Sequence, residues 1–339
     1  MNQSVESLLL SRDLNFKEAK HAFRNAFCIN SSDVDTQKKI LILLEKKGIS
    51  SAELHAMVAL IREVEPIIRH RNHTTLADGC GTGGDGKNTF NISTIACLVA
   101  AASGLSIAKH GNRSISSRCG SSDLMESLGV PIEAPKQKML RLLHQKNFGF
   151  FHAPLYHPFF AQAQKARREL AAKHIKTIFN LTGPLVNPLR PRYQLIGVYR
   201  KDLASMVAQA AKKLGFKRAF IIWNLGGYDE LTTTNRTLVF DLCRQKLISY
   251  YINPTNLGFK KAKPASLLGG NLKKNLKIAR NIICGREKSG AKFDAVVLTA
   301  ATLLFLSGQV SSLTGGIKKA KHSLVTRKVS KLLKDLSGH

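Results

Sequence analysis

The chain has 339 residues, of which 44% are hydrophobic and 22% charged, and its 52 lysines and arginines against 22 acids give a formal net charge of +30. This composition excludes collagen-like, disordered and disulfide-dense classes and, at roughly 150 residues per domain, predicts about two domains. The basic excess attracts polyanions, whether nucleic acid or phosphorylated metabolites, although a solvated lysine-rich surface has the same composition.

At the N-terminus, Leu8–Leu10 is the only apolar run before Arg12 and Asp13, too short for a secretory leader, so a cytoplasmic protein is expected. Residues 4–66 read as short helices. Apolar positions recur at three and four in Leu14, Ala19, Ala22, Phe23 and Phe27, and again in Ile40, Leu41, Leu43 and Leu44. Gly48 supplies a helix end, and Ser51-Ala52-Glu53-Leu54 a helix start. These features predict a small all-helical domain over residues 1–72, with a helical contribution from about 160–182, followed by a large α/β domain over 73–339. In the latter, β-prone runs at 105–108, 148–151, 194–199 and 219–223 alternate with helical stretches at 121–128, 136–143, 159–170 and 203–214. That alternation predicts a mostly parallel central sheet covered by helices on both faces. The segment 180–191 (NLTGPLVNPLRP) carries three prolines and a glycine and reads as a turn-rich connector. The uncharged stretch 88–108 is long enough to span a bilayer but carries Ser, Thr, Asn and Gly, and reads as a loop running into a buried helix. The six cysteines include no CxxC pair, which favours scattered reduced thiols.

Residues 78–94 read DGCGTGGDGKNTFNIST, and four of the six residues from Gly79 to Gly84 are glycine. Such a loop exposes backbone N–H groups to a phosphate, with no Cβ to keep it away. Gly79, Gly81 and Gly84 fit GxGxxG, but no acid follows at the distance a dinucleotide ribose requires. The run 81–88 approaches a P-loop, yet Asn88 stands where magnesium needs Ser or Thr. The third reading is an anion site. Asn91 or Ser93 caps a helix through residues 95–102, whose free N–H groups lie beside the glycine loop. A second polar block, 109–123, holds two glycines, three cations and five serines, a composition suited to phosphate and sugar oxygens; its Asp123 opens the next helix. Asp229-Glu230, after the strand 219–223, suits magnesium, which takes oxygen ligands and bridges to phosphates.

Together these blocks resemble anthranilate phosphoribosyltransferases. The likeness is carried by GTGGDG and NTFNIST, by KHGNRSISS and CGSSD, by FGFFHAPLYHP (148–158), RREL (167–170), TIFNLTGPLVNP (177–188) and YDEL (228–231). The resemblance implies a nucleoside phosphorylase/phosphoribosyltransferase-like fold, a homodimer, and transfer of phosphoribosyl from 5-phosphoribosyl 1-pyrophosphate to the anthranilate amine in tryptophan biosynthesis. It implies that phosphoribosyl pyrophosphate is held by Gly81, Gly84, Asp85, Thr89, Asn91, Ile92, Ser93 and Thr94. Lys109, His110, Gly111, Asn112, Arg113, Ser114, Ile115, Ser116, Ser117 and Ser121 complete that set. Ser93, Asp229 and Glu230 would ligate Mg2+. Asn112 and Arg167 would engage anthranilate, with Gly81, His110 and Gly183 nearby. No residue is assigned as a general acid or base.

The chain departs from that pattern in three places. Six residues, 171–176, separate RREL from TIFN where about three are usual, so the RREL helix is expected to lengthen or turn. Trp223 replaces a histidine, read as local packing, and Thr182 replaces a leucine. Two rival readings remain: a nucleic-acid-binding, non-enzymatic relative of the same fold, motivated by basic stretches at 260–292 and 318–334, and a nucleoside phosphorylase on the related architecture.

Overall fold

The structure, a computed structural model, describes residues 12–28, 33–65, 67–70, 75–113 and 118–338. Among the described residues, three N-terminal helices follow from their caps: α1 (Phe16–Phe27), α2 (Val34–Lys47) and α3 (Ser51–Val64). The side chains of Asn15, Asp33 and Ser50 each accept an orphan amide of the first turn. Glu18 and Glu53 reach back to the cap N–H groups of Asn15 and Ser50 at 3.0 and 2.9 Å. The third helix is therefore capped by Ser50, one residue before the expected start. Gly48, at φ 87°, ends α2 as its sequence suggests. The periodic positions Ala19, Ala22, Phe23, Phe27, Ile40, Leu41 and Leu44 are all buried.

A seven-stranded sheet follows: β1 (Ala77–Gly81), β2 (Ile107–Gly111), β3 (Phe148–His152), β4 (Tyr193–Gly197), β5 (Arg218–Asn224), β6 (Thr237–Cys243) and β7 (Lys246–Ile252). Its order is β3-β2-β1-β4-β5-β6-β7. The first five strands are parallel, and β6 and β7 add antiparallel. The chain winds outward from β1 through β2 to β3 and then returns to the other side at β4. The switch point thus lies between β1 and β4, where open α/β sheets bind ligands at the carboxyl ends of the strands.

Alternate residues of the strands enter different cores, the period-2 consequence of a sheet covered on both faces. Leu195, Phe220 and Ile222 pack with helices Ile92–Ala102, Leu272–Ile283, Ala291–Leu306, Leu313–Val325 and Lys328–Ser337. Ile196, Ala219 and Ile221 pack with helix Lys201–Lys212, with α1–α3, and with the short helices Pro158–Gln162, Gln164–Ala172 and Ile178–Thr182. One continuous core therefore joins the N-terminal helices, the 158–182 segment and one face of β4 and β5. Trp223 packs half-buried against this same core.

Three elements differ from expectation. The first turn of the glycine loop is the central strand β1. Its glycines are set by packing: a Cβ on Gly79 would lie 3.3 Å from the Leu303 side chain, and one on Gly81 would run into the Asp229 carboxylate. The expected helix 159–170 is broken at Ala163, whose N–H bonds back only to Ala161. The β6–β7 hairpin turns through Arg244 and Gln245 at φ 46° and 70°, a two-residue turn made without the usual glycine or asparagine.

Candidate functional site

The parallel strands end together, and their ends carry the loops singled out in the sequence. Gly81 of β1 pairs in register with Gly197 of β4. A Cβ on either would overlap Asp229, so the two glycines admit the Asp229-Glu230 turn between the strand ends. Beyond them, Gly83, Gly84 and Gly86 adopt φ values of 64°, 81° and 69°. The Gly83 N–H donates to Asp229 Oδ2 at 2.7 Å, and the Ser93 N–H, in the first turn of helix Ile92–Ala102, donates to Glu230 Oε1 at 3.3 Å. Glycine loop, helix start and acidic pair thus form one constellation. Asn91 occupies the cap position, but its amide donates to the Cys119 carbonyl at 3.2 Å rather than capping; of the first-turn amides, Ile92 N–H donates to the Phe90 carbonyl at 2.7 Å and Ser93 N–H to Glu230. Ile92 and Thr94 are buried, whereas Thr89 and Ser93 are partly exposed on the loop side.

Burial and the neighbouring carboxylate of Asp85 push Asp229 well above the usual carboxylate range; burial pushes Glu230 up to about 7. The Asp229 N–H also points to Asp85 Oδ2 at 3.4 Å. Three acids held this close repel one another, a donor set of hard oxygens that a divalent cation neutralises. Among the described residues no group of three His, Cys, Asp or Glu side chains is placed to hold a metal ion on its own. An open set suits magnesium, which keeps waters and takes substrate phosphate oxygens.

The second polar block is divided between structure and site. The Lys109 ammonium is buried and donates to the carbonyls of Gly79 and His110 at 2.9 and 3.1 Å. Beside it lies Asp78, which accepts from the Gly79 N–H at 2.7 Å and from the Asn187 amide at 2.9 Å. Asn187 also donates to Ala108 O at 2.8 Å, pinning the connector to β2 and, through Asp78, to β1. Arg113 is engaged by Glu126 and Asp123 at 2.7 and 3.2 Å, on the outer surface. Ser121 Oγ accepts the Asn112 N–H at 3.2 Å, and a Cβ on Gly111 would strike that same hydroxyl. Asp123 sits at the third helical position, its carboxylate accepting the Gly120 N–H at 2.9 Å, rather than at the helix start. Ser114, Ile115, Ser116 and Ser117 lie outside the described residues.

On the other side, the guanidinium of Arg167 lies 5.0 Å from the ring centroids of both Phe160 and Phe179. Among the described residues no carboxylate acts on its charge, and burial alone pulls it down to about 10. The ring of His110 meets the Gly183 backbone, and burial beside His157 and Lys109 holds it well below 6.5. His157 shares hydrogen bonds with His110 at 3.0 Å and with Glu65 at 2.5 Å. Thr182 is fully buried, its hydroxyl donating to the Phe179 carbonyl at 3.1 Å. Asp78, Asn187, Glu65, His157 and Lys176 were not singled out from the sequence. Only Asp78, a carboxylate opening a glycine run after apolar residues, carried a local signal; the others gain meaning from partners far along the chain.

With this geometry in place, four likenesses stand out. The glycosyl transferase family, a/b domain, matches residues 73–328. The anthranilate phosphoribosyltransferase of Methanocorpusculum labreanum is 38% identical over 322 residues, covering 95% of this chain and 93% of the relative. The crystal structure of anthranilate phosphoribosyltransferase from Thermus thermophilus superposes with a TM-score of 0.90 at 33% identity, covering 99% of this chain and 98% of that one. The Saccharomyces cerevisiae enzyme, in complex with PRPP and Mg, gives a TM-score of 0.82 at 27% identity, covering 98% of this chain and 90% of that one.

Proposed function

Since the chain belongs to the anthranilate phosphoribosyltransferase family, we propose that the constellation at its strand ends moves the phosphoribosyl group of 5-phosphoribosyl 1-pyrophosphate onto the amine of anthranilate, releasing pyrophosphate. The observation that carries this reading is the joint presence of a phosphate-type loop hydrogen-bonded to two acids and, across the His110–Gly183 contact, a guanidinium without a carboxylate of its own.

The glycine loop and the first turn of helix Ile92–Ala102 supply N–H donors for the pyrophosphate, through Gly81, Gly84, Asp85, Thr89, Asn91, Ser93 and Thr94. Lys109 serves from beneath: it fixes the carbonyls of Gly79 and His110 and so the ends of β1 and β2. Asp229, Glu230 and the Ser93 hydroxyl would hold Mg2+, which when bound neutralises charge building on the departing pyrophosphate. Arg167 takes the anthranilate carboxylate in a bidentate grip, with Asn112, Gly81 and Gly183 around the ring. A neutral His110 leaves Arg167 without a competing cation for that carboxylate. The aromatic amine is a weak nucleophile, and the site contributes placement against an anomeric carbon that gains positive character as the leaving group departs.

We assign the small helical unit to residues 1–72 with about 160–182 and the transfer domain to 73–339, in a cytoplasmic homodimer. Sedimentation of the purified chain at twice the monomer mass supports the dimer, and a monomer refutes it. The activity is tested by anthranilate fluorescence. Protein, magnesium and phosphoribosyl pyrophosphate together consume the fluorescence, and omission of any one abolishes the loss. A folded protein that leaves anthranilate untouched, or that cleaves pyrimidine nucleosides with phosphate instead, contradicts the assignment.

A further inference from the structure

We propose that Lys176 is a positioning residue for phosphoribosyl pyrophosphate, holding the glycine loop in its receiving conformation through the Gly84 carbonyl. The proposal rests on the transferase reading above and starts from the longer segment 171–176. Helix Gln164–Ala172 runs two residues past Leu170 and ends with paired backbone bonds: Ile175 N–H to Leu170 O at 3.0 Å and His174 N–H to Ala171 O at 2.9 Å. His174 takes the left-handed position, at φ 57°, that glycine usually fills in such a C-terminal motif. The turn sends the chain back toward the strand ends and delivers Lys176 to the glycine loop.

There the ammonium donates to the Gly84 carbonyl at 2.5 Å and lies 3.6 Å from the centroid of the Tyr199 ring. Tyr199 is buried just after the carboxyl end of β4, so the platform under the lysine is anchored beside the sheet. The Lys176 stem packs on the loop as well: a Cβ on Gly84 would lie 3.1 Å from its Cε. Left to itself the loop is poorly restrained, with three glycines at positive φ among residues 83–86. Because a peptide unit is planar and trans, fixing the Gly84 carbonyl on Lys176 turns the Asp85 N–H to the opposite side. The lysine thereby sets the direction of a donor that the pyrophosphate requires, while its own charge stands on the far side of the same peptide. This contact joins the segment that carries Arg167 to the loop that takes the phosphate.

The test compares wild type with Lys176→Met, Lys176→Gln and Lys176→Arg. Calorimetric binding of phosphoribosyl pyrophosphate with magnesium is measured alongside steady-state kinetics. Loss of one charge-assisted hydrogen bond predicts a roughly 10- to 100-fold weaker affinity and a matching rise in KM for phosphoribosyl pyrophosphate in the Met and Gln variants. KM for anthranilate should stay within about twofold, and Arg should restore most of the affinity. The Gln variant carries the comparison if the Met variant does not fold. Unchanged affinity in folded variants overturns the proposal. So does an equal loss for both substrates accompanied by a lower Tm, which marks a purely structural contact. If wild type binds phosphoribosyl pyrophosphate but leaves anthranilate unconsumed, the transferase reading falls, while weaker binding in K176M still upholds the lysine's role. If wild type binds no phosphoribosyl pyrophosphate, both fall.

Discussion

Arg167 shows how a side chain declares its ligand by what it lacks. A guanidinium between two phenylalanine rings with no acid beside it has lost much of its hydration without gaining an ion pair. Arg167→Lys should raise KM for anthranilate at least about 10-fold while leaving KM for phosphoribosyl pyrophosphate nearly unchanged, since a lysine cannot reproduce the fork. Equal effects on both substrates would contradict that role. His110 gives a pH prediction of definite sign. Its pKa is depressed in the folded chain chiefly by burial, with the neighbouring His157 and Lys109 adding to the effect, so below about 6.5 the unfolded chain binds a proton that the folded chain refuses. Stability therefore falls as pH drops through that value. Denaturant titrations at pH 7.5 and 5.5 should show a smaller fall in His110→Gln than in wild type; an identical fall would contradict the burial argument. At this scale the sequence revealed groups whose chemistry is local. Glycine amides, a Ser-Thr helix start and an acidic pair advertise themselves by composition. Asn187 and Lys176 did not, because each acts through a partner far along the chain, 109 residues away for Asn187 and 92 for the lysine.

At the scale of elements, the strand ends are shaped by one close approach. The Cβ that Gly197→Ala adds would overlap the Asp229 backbone, which must move and take Glu230 with it. The variant should lose about 1–3 kcal/mol of stability and most of its magnesium-dependent activity. Wild-type activity at wild-type Tm would show that the turn tolerates displacement. His174→Gly should have the opposite sign. It relieves a left-handed non-glycine residue and, after the extra freedom of the unfolded chain is subtracted, should stabilise by about 0.5–1 kcal/mol in denaturant titrations. Helices α1–α3 and strands β2–β5 were legible because caps and apolar periodicity are written locally. Strand β1 was not, because its glycines answer to Leu303 and Asp229 and mimic a turn. Nor was the break at Ala163, where neither glycine nor proline marks the interruption.

At the scale of the molecule, the +30 charge acts on encounter rather than on fold. Phosphoribosyl pyrophosphate is a polyanion and anthranilate carries a single charge. Raising salt from about 20 to about 300 mM should therefore lower kcat/KM several-fold more for the former than for the latter. Equal salt slopes would show that the charge serves only solvation. The family assignment does not favour the non-enzymatic nucleic-acid reading, and a basic outer surface leaves the strand-end site intact. Among the described residues no helix is long and apolar enough to cross a membrane, and the uncharged stretch 88–108 is resolved into loop, buried helix and strand as its polar residues suggested. The account turns on a single gathering place at the carboxyl ends of β1 and β4. Diffraction from crystals grown with magnesium, phosphoribosyl pyrophosphate and an unreactive anthranilate analogue tests it most directly. The account predicts pyrophosphate against Gly84 and Ser93, the metal on Asp229 and Glu230, and the analogue's carboxylate on Arg167. Density for the sugar diphosphate anywhere else, or a carboxylate turned away from Arg167, would contradict it.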